Sequence, residues 1–484
     1  MFKNISEKPN CSLEGFAFVL LNVILADICI FGAGRIIEFG PLTFRMITLL
    51  ILFAVCIPLF FKNFKLLLKS KYVCSVMVFG ILVISAAVIG VLNHNRTNLI
   101  ITDIKGFIYF AFLPCAVVLI NSYEKILVLA KTSMYSAMVQ GLIHITFIGF
   151  YISDVSWLDK VARFCDERRF FYVSYRISSV NVRVSFLSLA CLLLGIVFSI
   201  YFSTKNTKII FKFIYPFITA ICGFALFMSY TRSVYLAVGI TVILLLISFF
   251  ISSAKKQRIE LLKHITVTLV VFAVIISGFK IKTGENYFSY GLSRALVGID
   301  IFKGETDNLE IGNDEDIFKG ETDNLEIGND ENNEVENNSV EKDSFYQNTI
   351  TSDNLREKTI SELISNIKKS PIIGLGLGAE IPSRPDGLNE YFFLDLFSKM
   401  GIIGLLAYLS PVIFMIIQLI ELFKKKNKKV LHLFAWFCVL LGLIAYSYFT
   451  PCMNSSVGIM VYCFIMAVFE SYKKLQTDME GQHL

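Results

Sequence analysis

The chain has 484 residues, of which 55% are hydrophobic and only 17% are charged, and its formal net charge is +6 at pH 7. Soluble domains carry about 25% charged residues, whereas the mean hydropathy of this chain is +0.64. These values exclude a soluble globular enzyme, and we expect no nucleic-acid partner. Most of the chain must therefore lie in a lipid bilayer.

Apolar stretches of about 18 to 22 residues recur along the chain, long enough to cross a hydrocarbon core of roughly 30 Å as helices. Window hydropathy predicts about twelve spans. They lie near residues 14–33, 42–61, 72–92, 100–120, 127–151, 183–203, 209–229, 232–252, 264–280, 402–423, 430–450 and 455–472. No small-residue cleavage site follows the first span, so we expect a retained helix and not a removed signal peptide. The predicted fold is all-α, a polytopic integral membrane helical bundle.

Lysines separate the loops between these spans into two sets. They cluster in alternate loops and in the tail, at Lys62, Lys65, Lys69, Lys71, Lys205, Lys208, Lys212, Lys255, Lys256, Lys263, Lys424, Lys425, Lys426, Lys428, Lys429, Lys473 and Lys474. Because an excess of lysine and arginine marks cytoplasmic loops, these loops and both termini are predicted to be cytoplasmic. The long segment 281–401, between spans nine and ten, is then external.

The external loops before residue 281 carry a different cation. They contain Arg35, Arg45, Arg96, Arg163, Arg168, Arg169, Arg176, Arg183 and Arg232, with lysine only at Lys105 and Lys160. A guanidinium is a permanently charged planar fork that binds phosphate oxygens in pairs, which a lysine ammonium does not. Each arginine taken singly is equally compatible with snorkelling toward lipid headgroups. For the set, an external anionic ligand is the better interpretation.

Arg232 is the most informative of these arginines, because it stands in a very short polar turn, residues 228–233, between two long apolar spans. An unpaired charge drawn into the bundle there costs several kcal/mol. Other polar residues also fall in the outward halves of their spans, namely Asp27, Asp103, Lys105 and His144. They are compatible with mutual pairing that holds helices together, or with a polar funnel that opens outward for the charged head of an amphiphile.

The predicted spans divide the chain into three parts. Residues 1–280 form an N-terminal membrane bundle of about nine spans with an external loop near 153–181. Residues 281–401 form a large external segment. Residues 402–484 add three spans and a cytoplasmic tail.

The external segment begins with an acidic tandem repeat. Residues 300–315 are repeated letter for letter at 316–331, and residues 332–343 continue the same composition. Such sequence has too few large apolar residues to bury a core and is predicted to be disordered. Two copies are too few for a solenoid, which needs at least three repeats.

An amphipathic helix is predicted next. Ile360, Leu363, Ile364 and Ile367 follow the i, i+3, i+4, i+7 spacing of a helix face, and Pro371 stops the helix. The sequence of residues 371–378, PIIGLGLG, lacks the βαβ context and the third spacing of a dinucleotide fingerprint. We interpret it as a flexible turn that returns the chain to the membrane.

Cysteines and histidines give no sign of a metal site. Of the eleven cysteines, eight lie in apolar runs and none forms a CxxC pair, and the five histidines are scattered. Cys165 and Cys452 fall in predicted external loops, but nothing in the sequence brings them together. We therefore expect no metal and no cofactor.

Three pieces of the sequence resemble the bacterial O-antigen polymerase and O-antigen ligase superfamily. They are Ser229-Tyr230-Thr231-Arg232-Ser233 at the start of a span, Arg356 leading a helix into the 371–378 segment, and Glu390-Tyr391-Phe392-Phe393-Leu394 followed by Gly401-Ile402-Ile403-Gly404. The resemblance is strong over roughly 220–415 and covers the first half only as architecture. Arg176 with Asn181 matches a weaker element of the family.

The resemblance implies a membrane glycosyltransferase of the bacterial inner membrane whose active face is periplasmic. The implied substrate is an undecaprenyl-diphosphate-linked glycan, and a chain-length regulator and a flippase are implied partners beside membrane lipids. Arg232 would contact the donor diphosphate as a catalytic residue. Arg176, Arg356, Tyr230 and Asn389 would contribute to substrate binding.

One position departs from the family pattern. Members often carry His-Asn before the Gly-x-x-Gly pair, and Glu390 and Tyr391 occupy those places here. Because ligases depend on that histidine, the departure favours a polymerase, with Glu390 as general base on an acceptor hydroxyl. The alternatives are an O-antigen ligase acting on lipid A core, another transferase of the superfamily, and a flippase for the lipid-linked unit. A flippase is disfavoured by the large external segment and by the absence of an obvious inverted repeat.

Overall fold

The computed structural model describes residues 12–32, 34–35, 37–39, 42–152, 158–168, 171–176, 182–186, 188–205, 208–252, 255–283, 354–385, 389–425 and 430–481. The described chain is almost entirely helical, which confirms the predicted all-α class. The tandem repeat at 300–331 and Asn181 lie outside the described residues, and the three-part division of the chain stays a prediction.

Ten helices of the described chain are long and apolar enough to cross a membrane. Two shorter apolar helices, Leu189–Lys205 and Phe211–Phe227, bring the total to the twelve predicted from hydropathy. The helices are α1 (Leu13–Phe31), α2 (Phe44–Lys62), α3 (Phe64–Lys69), α4 (Lys71–Leu92), α5 (Thr97–Phe107), α6 (Leu113–Leu119), α7 (Tyr123–Ile152), α8 (Leu158–Glu167), α9 (Leu192–Lys205), α10 (Phe211–Phe227), α11 (Arg232–Ser252), α12 (Lys255–Thr283), α13 (354–369), α14 (Phe392–Lys424), α15 (Val430–Ser447) and α16 (Ser456–Gly481).

Two short antiparallel strand pairs accompany the helices. Strand β1 (Glu38–Phe39) pairs with β2 (Leu42–Thr43), and β3 (Phe171–Arg176) pairs with β4 (Val182–Phe186). Each pair lies in a loop on the arginine end of the bundle, the end that carries Arg45, Arg96 and Arg232. The strands therefore cover a helix end and do not form a sheet through the core.

The core of the bundle lies along α9 and α16. Every residue of α9 from 192 to 204 is buried, and so is the stretch of α16 from 457 to 469. Outer helices such as α2 and α4 instead alternate buried and exposed apolar positions, as expected of helices with one face toward lipid. Polar caps begin the outer helices, where the Thr43 and Ser70 hydroxyls each accept a backbone N–H at 3.3 Å.

Two of the spans are interrupted. The predicted span 100–120 consists of α5, a 3₁₀ turn (Ile108–Phe112) and α6. Helix α14 is broken at Gly401, whose φ of 64° lies outside the helical region. A side chain there would overlap the backbone of Ile372, so only glycine permits this close approach. The break separates a short outer helix, residues 392–400, from the span that follows.

The amphipathic helix predicted around 360–367 is present as α13. Leu363 is fully buried against Ile381 and Tyr391, and Ile360 packs beside it. Ile364, however, is 40% exposed. The buried residues of α13 are Thr359, Leu363 and Asn366. The face of α13 that packs against the protein is therefore rotated relative to the apolar face predicted from the spacing.

Residues 371–378 form a turn that leads back to the bundle, as predicted, but this turn is a ribbon held by backbone hydrogen bonds, so the prediction that it is flexible is wrong. The amides of Leu375 and Gly376 donate to the carbonyls of Ser398 and Lys399 at 2.9 Å, and the Leu377 amide donates to Ala86 in α4 at 2.9 Å. The ribbon is therefore clamped between α4 on one side and the outer part of α14 on the other.

Gly376 makes this clamping possible. Its φ is +87°, and a Cβ on it would overlap the backbone of Gly90 and Ile89 in α4. We expect Gly376→Ala to destabilise the protein by roughly 2–5 kcal/mol, since it adds a left-handed backbone penalty to backbone overlap. The thermal unfolding midpoint of detergent-solubilised protein measures the loss.

Gly80→Ala is the matched control, because Gly80 lies in α4 and a Cβ there meets nothing within 4 Å. It should leave the midpoint unchanged or raise it slightly, because alanine favours a helix. Equal midpoints for the two variants would contradict the close approach of the ribbon to α4.

Candidate functional site

The turn between α10 and α11 presents Arg232 at the first position of α11. Tyr230 in this turn has a left-handed backbone, with φ of 48°, which is uncommon for a residue other than glycine. The Ser229 hydroxyl donates to Leu226 O at 2.6 Å, and the Thr231 hydroxyl donates to Ser229 O at 3.0 Å. These bonds hold the reversal, and Arg232 is left half-buried at the helix N-terminus.

Tyr230 itself points inward. Its side chain is 1% exposed, and its hydroxyl donates to the sulfur of Met228 at 3.5 Å. The prediction of Tyr230 as a substrate-binding residue stays untested. In this structure the ring supports the turn and does not line an open surface.

The turn between α15 and α16 connects the Arg232 region to the start of α14. The hydroxyls of Ser233 and Thr450 lie 3.5 Å apart. The rings of Tyr448 and Phe449 pack edge-on against Tyr391, with centroids 6.1 and 6.2 Å away. Arg232 and the Glu390 segment therefore lie at the same end of the bundle, joined through this aromatic turn.

Glu390 is held by two arginines. Its Oε2 accepts from Nε of Arg356 at 3.1 Å, and its Oε1 accepts from Nη2 of Arg384 at 2.9 Å. Arg356 comes from the first turn of α13 and Arg384 from the segment after the ribbon. The three charges sum to +1, and each side chain is between 25% and 39% exposed, so an anion can reach the cluster.

A third arginine, Arg96 at the N-cap of α5, anchors the segment that carries Arg384. Nε of Arg96 forms an ion pair with Glu380, and its guanidinium also donates to the carbonyl of Pro385. The segment that carries Arg384 is thus fixed at both of its ends. This contact explains how an extended stretch outside any helix holds its place on the bundle.

A buried charge network lies beneath Glu390. Nζ of Lys399 donates to Asp395 at 2.8 Å and to Asp103 of α5 at 3.0 Å, and the lysine is only 4% exposed. The other oxygen of Asp103 accepts from the Gly378 amide at 2.8 Å. Asn389, also 4% exposed, donates its side-chain amide to the other oxygen of Asp395. The network therefore joins α5, the ribbon and α14 directly under the candidate site.

Several arginines of the loops predicted to be external have structural partners. Arg45 is bonded to Asp27 at 2.5 Å, to Ser456 at 3.3 Å and to Gly32 O, which ties α1, α2 and α16 together. Arg35 and Arg168 share Glu38, at 2.7 and 2.6 Å. With Arg96 already paired, these four arginines have carboxylate partners within the protein, so they support neither snorkelling toward headgroups nor a shared anionic ligand.

The remaining predicted residues are placed as follows. Arg176 ends strand β3 opposite Val182, and its side chain lies outside the described residues. Asp103 pairs with Lys399 and not with its neighbour Lys105. Cys165 and Cys452 are free thiols, and burial raises their pKa values to about 11 and 12, so both are protonated at neutral pH. No group of three metal-ligating side chains occurs among the described residues, and metal independence stays a prediction.

Sequence reasoning missed Arg384, Asp395 and Lys399. Arg384 gave no signal, because it stands alone in a polar stretch. Asp395 and Lys399 did carry one, since a carboxylate and an ammonium four residues apart share a helix face. Their position at the outer edge of an apolar span adds to that signal, because buried charges at such places are paired.

Residues 217–409 match the family model described as O-antigen ligase. The matched region includes Arg232, Arg356 and Glu390, and it confirms the resemblance to the polymerase and ligase superfamily over this part of the chain. This is a family of glycosyltransferase-like enzymes that act on lipid-linked glycans at membranes, which indicates a role in surface-polysaccharide biosynthesis. No curated protein matches the chain.

The buried charge network predicts that Lys399 contributes strongly to the stability of the protein. Lys399→Met leaves two buried carboxylates facing each other without a cation, so we expect a loss of roughly 3–5 kcal/mol of stability. Lys399→Arg keeps the charge and should lose much less. The amount of folded protein recovered from membranes and its thermal unfolding midpoint report the effect.

Lys105→Met serves as the control, because Lys105 is an exposed lysine two residues from Asp103. It should behave as the wild type. A Lys399→Met variant as stable as Lys105→Met would show that Lys399 contributes no ion pair.

Proposed function

We propose that this protein is a polymerase that joins polyprenyl-diphosphate-linked oligosaccharide units into O-antigen or a related surface polysaccharide, on the outer face of the bacterial inner membrane. The supporting observation is the shared location of Arg232 and the Arg356–Glu390–Arg384 cluster at one end of the bundle. A cationic surface next to a carboxylate suits a diphosphate leaving group beside an acceptor hydroxyl. The departure from the family histidine at Glu390 favours the polymerase over the ligase.

Arg232 is the diphosphate-binding residue in this proposal. It stands at the N-terminus of α11, where the helix dipole adds to its positive charge. As the bond between the anomeric carbon and the diphosphate oxygen breaks, negative charge grows on the leaving group, and a fixed guanidinium stabilises it. Arg176 and Arg356 are the further arginines proposed to contact the donor.

Glu390 is the general base of the proposal. Each of its oxygens accepts one arginine N–H, and a carboxylate oxygen has a second lone pair that can accept a hydroxyl. Glu390 takes the proton from the acceptor hydroxyl as the new glycosidic C–O bond forms. The polyprenyl diphosphate departs with the electrons of the broken bond, so no nucleotide and no metal is required.

An O-antigen ligase is the second candidate, favoured by the description of the matching family model. It would transfer a finished chain to lipid A core by the same bond changes. The two candidates differ in the acceptor, and the glycolipids that accumulate without the protein distinguish them.

We expect deletion of the gene in the native host to leave glycolipid with one repeat unit and no long-chain ladder, and the wild-type chain to restore the ladder. Arg232→Ala should reach the membrane normally and restore less than about 1% of polymer, since loss of one such stabilising group costs about 10²–10³ in rate. Gel profiles of surface polysaccharide and of extracted polyprenyl glycolipids measure both.

Arg35→Ala is the matched control, because Arg35 is an external arginine paired with Glu38 away from the cluster. It should restore a full ladder. Long polymer held on its polyprenyl carrier in the deletion strain would instead identify a ligase. Single units trapped on the cytoplasmic leaflet would identify a flippase and refute the catalytic roles.

The proposed orientation has its own test. Alkaline phosphatase is active only where its disulfides form, outside the cytoplasm. We expect activity when it is fused after residue 310 and none when it is fused after residue 427. The reverse pattern would place the arginine end in the cytoplasm, where no periplasmic polymerisation is possible.

A further inference from the structure

Two buried polar atoms on residues that adjoin Glu390 have no hydrogen-bond partner within the described part of the chain. They are Nε of Arg384, which is a donor, and Oδ1 of Asn389, which is an acceptor. Native proteins rarely leave buried polar atoms unpaired, and such atoms call for a ligand, a water or a catalytic explanation. Because one atom is a donor and the other an acceptor, the two together indicate which chemical group could form hydrogen bonds with both.

The residues that carry these two atoms both adjoin the proposed base. Arg384 contacts Oε1 of Glu390 at 2.9 Å through a different nitrogen, so its Nε remains available. Asn389 precedes Glu390 directly in the chain. Each unpaired atom therefore belongs to a side chain next to the carboxylate that is proposed to receive the proton.

The orientation of the Asn389 amide is set by its contact with Asp395. Its Nδ2 donates to Oδ1 of Asp395. An ionised carboxylate only accepts, so only the NH₂ half of the amide can face it, and Oδ1 must turn away. The charge of Asp395 is in turn held by Lys399, which is bonded to Asp103.

The chemistry of the two atoms distinguishes between ligands. A hydroxyl donates one hydrogen and accepts another, so it satisfies Oδ1 and Nε–H together. A phosphate oxygen would accept from Nε but would be repelled by Oδ1. An apolar group would leave both atoms unpaired.

We propose that Asn389 Oδ1 and Arg384 Nε form a hydroxyl-binding subsite for the acceptor sugar, and that Asp395, supported by Lys399 and Asp103, positions the amide. The subsite rests on the proposed function, because it requires an acceptor sugar beside Glu390. Asn389 and Arg384 contact the sugar. Asp395, Lys399 and Asp103 act through Asn389 and are positioning residues.

The test is the steady-state kinetics of the full-length protein in lipid nanodiscs. The probe is the single-unit polyprenyl-diphosphate glycolipid extracted from the deletion strain, titrated against a fixed amount of lipid-linked polymer made beforehand by the wild-type protein. Asn389→Leu removes the acceptor atom. Arg384→Lys keeps a positive charge beside Glu390 but lacks the Nε–H donor. Each should raise the KM for the single unit about tenfold, the effect of losing one hydrogen bond to a buried polar group. In Asn389→Leu, which leaves both arginine contacts of Glu390 in place, kcat should stay within about twofold.

Two further variants test the positioning role of Asp395 and Lys399. Asp395→Asn lets either half of the Asn389 amide face residue 395, so the same rise in KM is expected. Lys399→Arg preserves the charge and should keep the KM near the wild-type value. Arg35→Ala removes an arginine that pairs with Glu38 and lies outside the subsite, so it is the control and should leave KM and kcat unchanged.

An unchanged KM in Asn389→Leu and Arg384→Lys overturns the subsite, and so does a loss of kcat at constant KM. Thermal unfolding in the same nanodiscs checks that each variant is folded. If Asn389→Leu does not fold, Arg384→Lys and Asp395→Asn carry the same comparison. Failure of the wild-type protein to extend the glycolipid is a separate result, which overturns the proposed polymerase activity and the subsite with it.

Discussion

The ion pairs of Lys399 are the interaction on which the arginine end of this molecule depends. A lysine that is 4% exposed is bonded to Asp395 on its own helix and to Asp103 on α5. Burying three charges costs several kcal/mol for each unless every one is compensated. The three charges are all paired only when α5, the ribbon and α14 are in place. The network is therefore compatible with one arrangement of these elements. It thereby specifies the geometry of the loop that carries Glu390.

The glycines of the ribbon make that arrangement sterically possible. Gly376 lies against the backbone of α4 and Gly401 against the ribbon itself, distances that no side chain would permit. Backbone hydrogen bonds, and not side-chain packing, then hold the ribbon against α4 and α14. Asn93 and Asn95 add to this by donating to the carbonyls of Leu375 and Leu377 at 2.9 Å. Helix α13 is consequently connected to the bundle by a hydrogen-bonded ribbon.

Much of the fold could be predicted from the sequence, because lipid imposes a simple rule on it. Apolar runs of sufficient length must be helices, so the span count and α13 followed from hydropathy and from spacing. The ribbon could not be predicted, because its role depends on contacts with residues such as Ala86 and Lys399, far away in sequence. Periodicity carries no information on those contacts. The sequence could only indicate that PIIGLGLG ends a helix.

The candidate site was predicted in part for the same reason. Arg232 and Glu390 were recognisable from a local motif and its departure from a family pattern. Arg384 was not, because its significance arises only when the chain folds back onto Glu390. Charge sorting in the loops suggested one ligand for all external arginines. The structure instead divides them, since Arg35, Arg45, Arg96 and Arg168 pair with carboxylates of the protein itself.

The separation of 296 positions between Asp103 and Lys399 in the sequence also governs the order in which the bundle can assemble. During synthesis, α5 leaves the ribosome long before the lysine that neutralises its aspartate. A helix with an uncompensated carboxylate is held poorly in lipid, and non-local contacts form only after the intervening chain has been made. The span 97–119 therefore stays at the membrane surface, or inserts without stable packing, until α14 has been synthesised. Assembly of the arginine end is thus a late step, completed by the C-terminal helices and not by the N-terminal bundle alone.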